Sequence, residues 1–272
     1  ISKESEIIIN SNELAKIKSL EELKLQSTSQ INLNSRCFSG IKNLQKIRIE
    51  GPEINIREYC FDQCSSLKSV FLEILLYHIN SKSFIGCNPD LKFNITTSKI
   101  DINEYYEYFN ELDADETRQI FAIENKKTNA MYIAKVFNTK IVTSSLKEKF
   151  LNHMATYSNL QCPSISMLHS FSFKDMNNEE YPMIISEYHG IMSLSNAMKE
   201  KQLSKQQEYN ILLGILLGLK YLQSNKIEIK KLTTKQILLD ENFYPYIDYY
   251  EYENEDINDV PIKNIIYQYL LI

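Results

Sequence analysis

The sequence predicts an α+β chain: a short solenoid of stacked strand repeats over residues 1–98, then a mixed strand-and-helix domain over residues 99–272. Three observations predict it. Apolar residues recur with a period of 23 to 24 across residues 14–95. From about Asn103 that period stops, and alternating segments around a polar turn at Asn125–Asn129 take over. Farther on, Ser204–Gln223 carries an apolar stripe at helical spacing.

The repeats come first. Phe38, Phe61 and Phe84 stand 23 apart, and Leu20, Leu44, Leu67 and Leu91 stand 24, 23 and 24 apart. After the first three leucines the same alternation follows, as Leu23 and Leu25, Ile47 and Ile49, Val70 and Leu72. A second alternating pair precedes each phenylalanine, as Ile31 and Leu33, Ile54 and Ile56, Tyr77 and Ile79. Alternation of period two is a strand with one buried face. Two short strands and a turn cannot bury that face alone, so the copies must stack. The unit F-x-x-C-x-x-L, as in Phe61, Cys64 and Leu67, resembles the BspA-like leucine-rich repeats, with three clear copies and a degenerate one from Leu14. That resemblance implies a leucine-rich-repeat solenoid whose small concave face is either a protein-binding surface or a capping spacer.

Composition narrows the partners. The chain has 272 residues, 43% of them hydrophobic, and a net charge of -5. Without a global basic field, nucleic acid and anionic membrane are not expected partners. The most apolar stretch, Ile211–Leu222, carries Gly214 and Gly218 and is too short to span a bilayer, so it reads as a buried helix. Cys37, Cys60, Cys64, Cys87 and Cys162 show no zinc-ligand spacing, and four of them fall at repeat-related positions as small hydrophobes. Reduced thiols are the expected state, with a cytoplasmic location. Residue 1 is Ile, with no signal sequence or initiating Met, so the numbered chain is expected to begin inside a longer protein.

In the second part, Leu112–Lys135 reads LDADETRQIFAIENKKTNAMYIAK. Laid without a gap, it resembles the Gly-rich loop and V-A-I-K strand of protein kinases. The resemblance puts Lys135 at the lysine that holds nucleotide phosphates, and Asp113, Asp115 and Arg118 at the three loop glycines. Carboxylates there would face a polyanion, which argues against ordinary nucleotide binding. A helix over about Ser144–Asn159 leads to Leu160-Gln161-Cys162-Pro163, similar to the L-x-H-P that follows helix C. Counting back puts His153 at the glutamate that pairs with the lysine, and its helical neighbours Lys149, Phe150, Thr156 and Tyr157 supply no acid.

Tyr181–Tyr188 looks like the strand entering the hinge, and Gly190–Leu194 like the loop before helix D. In the helix that follows, Ile211, Leu212, Ile215, Leu216, Leu219 and Leu222 form the stripe read as core. Ile229–Asp240 resembles H-R-D-L-K-x-x-N-I-L-L-D. Lys231 then replaces the catalytic aspartate, Gln236 the second-metal asparagine, and Thr233 the lysine past the base. The metal-binding D-F-G falls on Tyr249-Tyr250-Glu251, and a one-residue shift would make Asp248 a weak candidate metal ligand. Asp259–Ile266 looks like the start of helix F, leaving a short activation segment without A-P-E. The resemblance thus implies a two-lobed protein-kinase-like fold, with a β-rich N-lobe over about 103–187 and an incomplete helical C-lobe over about 188–272.

These losses together predict a pseudokinase rather than an enzyme. On this reading the chain is a catalytically inactive interaction or scaffold protein, meeting protein partners through the repeats and the lobes, with a vestigial nucleotide site at Lys135 and no cofactor. The alternatives are a divergent kinase using ATP and Mg²⁺ through Lys135 and Asp248, or a repeat-based adhesion or recognition protein. For the kinase alternative, Glu228 and Asp240 are the nearest replacement bases in sequence.

Overall fold

The computed structural model describes residues 1–114, 118–190, 192–200, 203–227 and 232–248. The chain forms two compact units, Ile1–Asn159 with Leu168–Ser186, and Leu160–Met167 with Glu187 onward.

The first unit opens as a solenoid. Its strands are β1 (Ser2–Lys3), β2 (Ile7–Ile9), β3 (Glu22–Ser27), β4 (Gln30–Leu33), β5 (Lys46–Ile56), β6 (Ser69–Ile79) and β7 (Lys92–Thr97). All pair in parallel with the copy one repeat away, so that Leu23 faces Ile47, Ile47 faces Val70, and Val70 faces Phe93. These inward positions are buried, as the alternation predicts. Phe38 stacks on Phe61 at 5.1 Å and Phe61 on Phe84 at 5.2 Å, so the 23-residue spacing is a ladder of rings. The cysteines are free thiols. Burial pushes the Cys64 thiol up to about 11, and its Sγ donates to the Phe38 carbonyl of the preceding coil.

Two features depart from the periodic reading. Stacking begins before Leu14, because Ser2 pairs with Gln26 and Ile7 with Ile31. The two short strands of a repeat are separate in β3 and β4, whereas β5 and β6 each run unbroken for 11 residues.

The first unit continues with β8 (Tyr106–Ala114), β9 (Arg118–Asn125), β10 (Met131–Phe137), helix α1 (Ser144–Tyr157), β11 (Leu168–Ser172) and β12 (Met183–Glu187). Their antiparallel order is β11-β12-β10-β9-β8, and the free edge of β11 pairs with β6, so one sheet runs from the repeats into this lobe. Residues Ile74–Tyr77 of β6 are all buried. There the strand is covered on both faces: Leu75 and Leu76 join a core with Ile102, Tyr106, Ile123, Val136, Met183 and Ile185.

Helix α1 starts where Thr143 Oγ1 accepts the Leu146 N–H at 3.3 Å, and it packs against β6 and β7. Lys147 Nζ donates to Glu180 Oε1 at 3.0 Å and to Thr97 Oγ1 at 2.5 Å, while that hydroxyl donates to the same carboxylate at 2.5 Å. At the far end of the helix, the Ser158 hydroxyl donates to the Ile79 carbonyl at 2.6 Å. The last coils therefore grip α1 at both ends.

The second unit holds β13 (Met192–Ser193), α2 (Leu194–Lys199), α3 (Lys205–Ser224), β14 (Ile237–Leu239) and β15 (Pro245–Ile247), with β13-β14-β15 as a small antiparallel sheet. A capping box between Ser204 and Gln207 begins α3. The stripe expected as core needs correcting here. The buried face runs through Ile211, Gly214, Ile215, Gly218 and Leu222, whereas Leu216 is 39% exposed. The reason is β15, which crosses α3 at the two glycines; a Cβ on Gly218 would stand 2.6 Å from Ile247 Cδ1. Among the described residues no helix is long and apolar enough to cross a membrane.

Candidate functional site

The first unit carries two buried cations, Lys135 and Arg118. On β10, Ala134 and Val136 face the apolar core, so Lys135 points to the opposite face together with Phe137. Phe137 meets Phe150 of α1 edge-on at 6.3 Å, which makes this the helix side of the sheet. Lys135 is 2% exposed. Across on β9, Ile120 pairs with Lys135 and Arg118 pairs with Phe137, so Arg118 shares the face of Lys135 one position along. Arg118 is itself only 5% exposed. The structure thus brings together a lysine expected from the sequence and an arginine that the sequence offered only as a lost glycine.

Of the other loop positions, Asp113 is exposed and its Oδ1 accepts the Ala114 N–H at 3.0 Å, a local turn contact. Asp115 lies outside the described residues. His153, at the position of the pairing glutamate, sets its ring edge-on to Tyr157 one helical turn on, at 4.9 Å.

The second unit carries the loop that would meet metal and substrate. Gln236 is 1% exposed, and its Oε1 accepts the Thr233 N–H at 2.8 Å and the Thr233 hydroxyl at 3.1 Å. The carbonyl that would stand in for the asparagine ligand is therefore engaged by its own loop. Asp248 follows β15 directly, is 6% exposed, and its N–H donates to the Gln236 carbonyl at 2.8 Å. The two candidate metal positions are thus joined through the backbone. Asp240 caps a turn, its Oδ1 accepting the N–H groups of Asn242 at 2.9 Å and Tyr244 at 2.8 Å, which does not suit a general base. Lys231, Glu228 and the Tyr249–Glu251 and Asp259–Ile266 segments lie outside the described residues. Among the described residues no three His, Cys, Asp or Glu side chains cluster as a metal site.

Residues 1–112 match the BspA type leucine rich repeat region, in six copies, and residues 114–248 match the protein tyrosine and serine/threonine kinase family. The chain joins BspA-type leucine-rich repeats to a protein kinase domain. The repeat count exceeds the three clear copies and one degenerate copy read from the period; the coil ahead of Leu14 stacks as well, and the match runs on to residue 112. A comparison with curated proteins gives no match.

The kinase match also corrects the expectation that the protein is not an enzyme. The kinase domain belongs to a catalytic family, and its membership points toward an enzyme. Each replaced residue removes one interaction, whereas transition-state stabilisation in such sites is shared among several groups. The replacements are read from sequence positions, and they do not by themselves establish inactivity. Lys135, the group that binds phosphate in the family, remains in place.

Two features of the kinase domain escaped sequence reasoning. The burial of Arg118 follows from its register opposite Phe137, which only strand pairing defines. The union of repeats and kinase domain did leave a trace, since alternation fails at Ile74-Leu75-Leu76-Tyr77, where both faces of β6 are covered.

Proposed function

We propose that the protein is a scaffold in which the repeats hold a protein partner and the kinase domain binds a nucleotide through Lys135 and Arg118. The observation that carries this reading is the pair of buried cations on one face of β9 and β10. Two cations fixed side by side raise the local potential toward a polyanion. They suit a phosphate chain, whereas the exposed Asp113 does not, and ATP is the polyphosphate that the family implies. The partner-binding half of the proposal draws on the shared sheet. Because β6 pairs with β11, a protein docked on the repeats keeps a fixed geometry to Lys135.

The test is thermal unfolding with and without millimolar ATP, with Mg²⁺ and with EDTA. Ligand at about a hundred times its dissociation constant stabilises by about 2.7 kcal/mol, which raises the midpoint by several degrees. Lys135→Met and Arg118→Gln are each expected to shrink that rise while leaving the ligand-free midpoint within a few degrees. No rise in either metal condition would sink the nucleotide half of the proposal.

A second reading, ATP-dependent phosphoryl transfer to protein, is favoured by Asp248, buried and tethered through its N–H to the Gln236 loop. Transfer of labelled phosphate to the chain or to a captured partner, lost in Asp248→Asn, is its signature.

A further inference from the structure

A cleft of about 520 Å³ opens in the second unit, apart from the residues considered above. Its walls come from three extended segments that each contribute residues two apart: Ile165 and Met167, Glu187 and His189, Tyr244 and Tyr246. Period two puts each pair on one face of its segment. The segments are bound to one another. Ile165 bridges Ile247, and the Glu187 N–H donates to the Met167 carbonyl at 3.1 Å. The alternate residues face the other way: Pro245, Ile247 and Ser164 lie against Gly214 and Gly218 of α3. The cleft is thus the outer face of the Ile165 and Tyr244 segments, whose inner faces pack on α3, and the Glu187–His189 segment forms its third wall.

Its chemistry is specific. His189 lies flat on Tyr246, ring centroids 3.7 Å apart and 6° from parallel, and Tyr244 stands 5.4 Å from Tyr246. Glu187 Oε2 lies 3.6 Å from His189 Nε2, and its side chain is still 42% exposed. The lining includes this carboxylate and no lysine or arginine among the described residues. A stacked aromatic wall beside a solvent-accessible carboxylate is the environment that recognises a planar organic cation. The volume lies in the range of small-molecule sites.

We infer that this cleft binds a planar cation of the guanidinium or amidinium class, with Glu187 as its counter-ion and the His189–Tyr246 stack as its platform. Burial holds the His189 imidazole below its ordinary value, so near neutral pH it does not repel such a cation. Asp248 and Asp240 add negative potential at His189. The cation can come from a free small molecule or from an arginine side chain of a partner, and the two share this recognition.

The experiment titrates the full chain with benzamidine while following histidine ring resonances by NMR. The sequence has 4 histidines, and a His189→Asn variant assigns the relevant signal. Benzamidine at millimolar concentration is expected to shift the His189 signal saturably, whereas neutral benzamide does not. Glu187→Gln is expected to weaken binding roughly tenfold, the scale of one charge-assisted contact, without moving the unfolding midpoint. Agmatine and acetyl-arginine amide then separate the sources, the tighter ligand naming a free cation or a peptide side chain. A His189 signal that no cation moves, or a shift that benzamide or Glu187→Gln reproduces in full, would overturn the inference.

Discussion

Phe171 of β11 stands directly across from Tyr77 of β6, their rings stacked at 5.3 Å, and this pair is where the repeat sheet becomes the kinase-domain sheet. Both rings are fully buried, and Phe173 and Phe150 close around them edge-on. A strand edge that would otherwise be open is paired, which removes a site for wrong association.

The first unit should therefore unfold as one body. Phe171→Ala empties a fully packed position and is expected to cost about 3–5 kcal/mol. In urea, probes in the repeats and on α1 should move together and shift to the same lower midpoint. Separate transitions for the two probes would show that the shared sheet does not couple them.

The Lys147–Glu180–Thr97 network predicts an asymmetry. Lys147 is 7% exposed at its side chain and Glu180 is 41% exposed. Removing the lysine leaves a carboxylate that water can reach, while removing the carboxylate leaves a cation that water cannot. Glu180→Ala should thus destabilise more than Lys147→Met in matched denaturation curves. The Thr97 hydroxyl and then the Lys147 ammonium hold the Glu180 carboxyl below its ordinary value. A depressed carboxylate stabilises above its unfolded pKa, so this contribution is lost as pH falls through and below the ordinary glutamate range of about 4.3.

His169 predicts a second, higher pH window. Burial, followed by the nearby His78, pushes its imidazole down to about 4. Between that value and the ordinary histidine value of about 6.5, the unfolded chain binds a proton that the folded chain refuses. Stability should be level above about pH 6.5 and fall as pH is lowered toward 4. His169→Gln should flatten that slope, and an unchanged slope would count against the assignment.

Gly218 predicts a conflict between helix propensity and packing. Alanine in an exposed helix interior gains up to about 1 kcal/mol over glycine. Here the added Cβ would meet Ile247 Cδ1 at 2.6 Å and the Ser164 carbonyl at 3.1 Å. Gly218→Ala should therefore destabilise the second unit by about 1–3 kcal/mol, measured as a lower thermal midpoint.

The sequence by itself determined the repeats and the order of the kinase-domain strands and helices that the structure describes, because these rest on local period and local motif. The phenylalanine ladder and the buried faces of β3, β4 and β5 were legible for that reason. Tertiary structure alone decided three things. It placed Arg118 beside Lys135, since strand register sets which residues share a face. It exposed Leu216 and buried Gly214 and Gly218, since apolar character does not say which stripe of a helix the neighbouring strand will touch. It brought Tyr246 against the Glu187–His189 segment, since packing between segments far apart in sequence is not legible in local pattern.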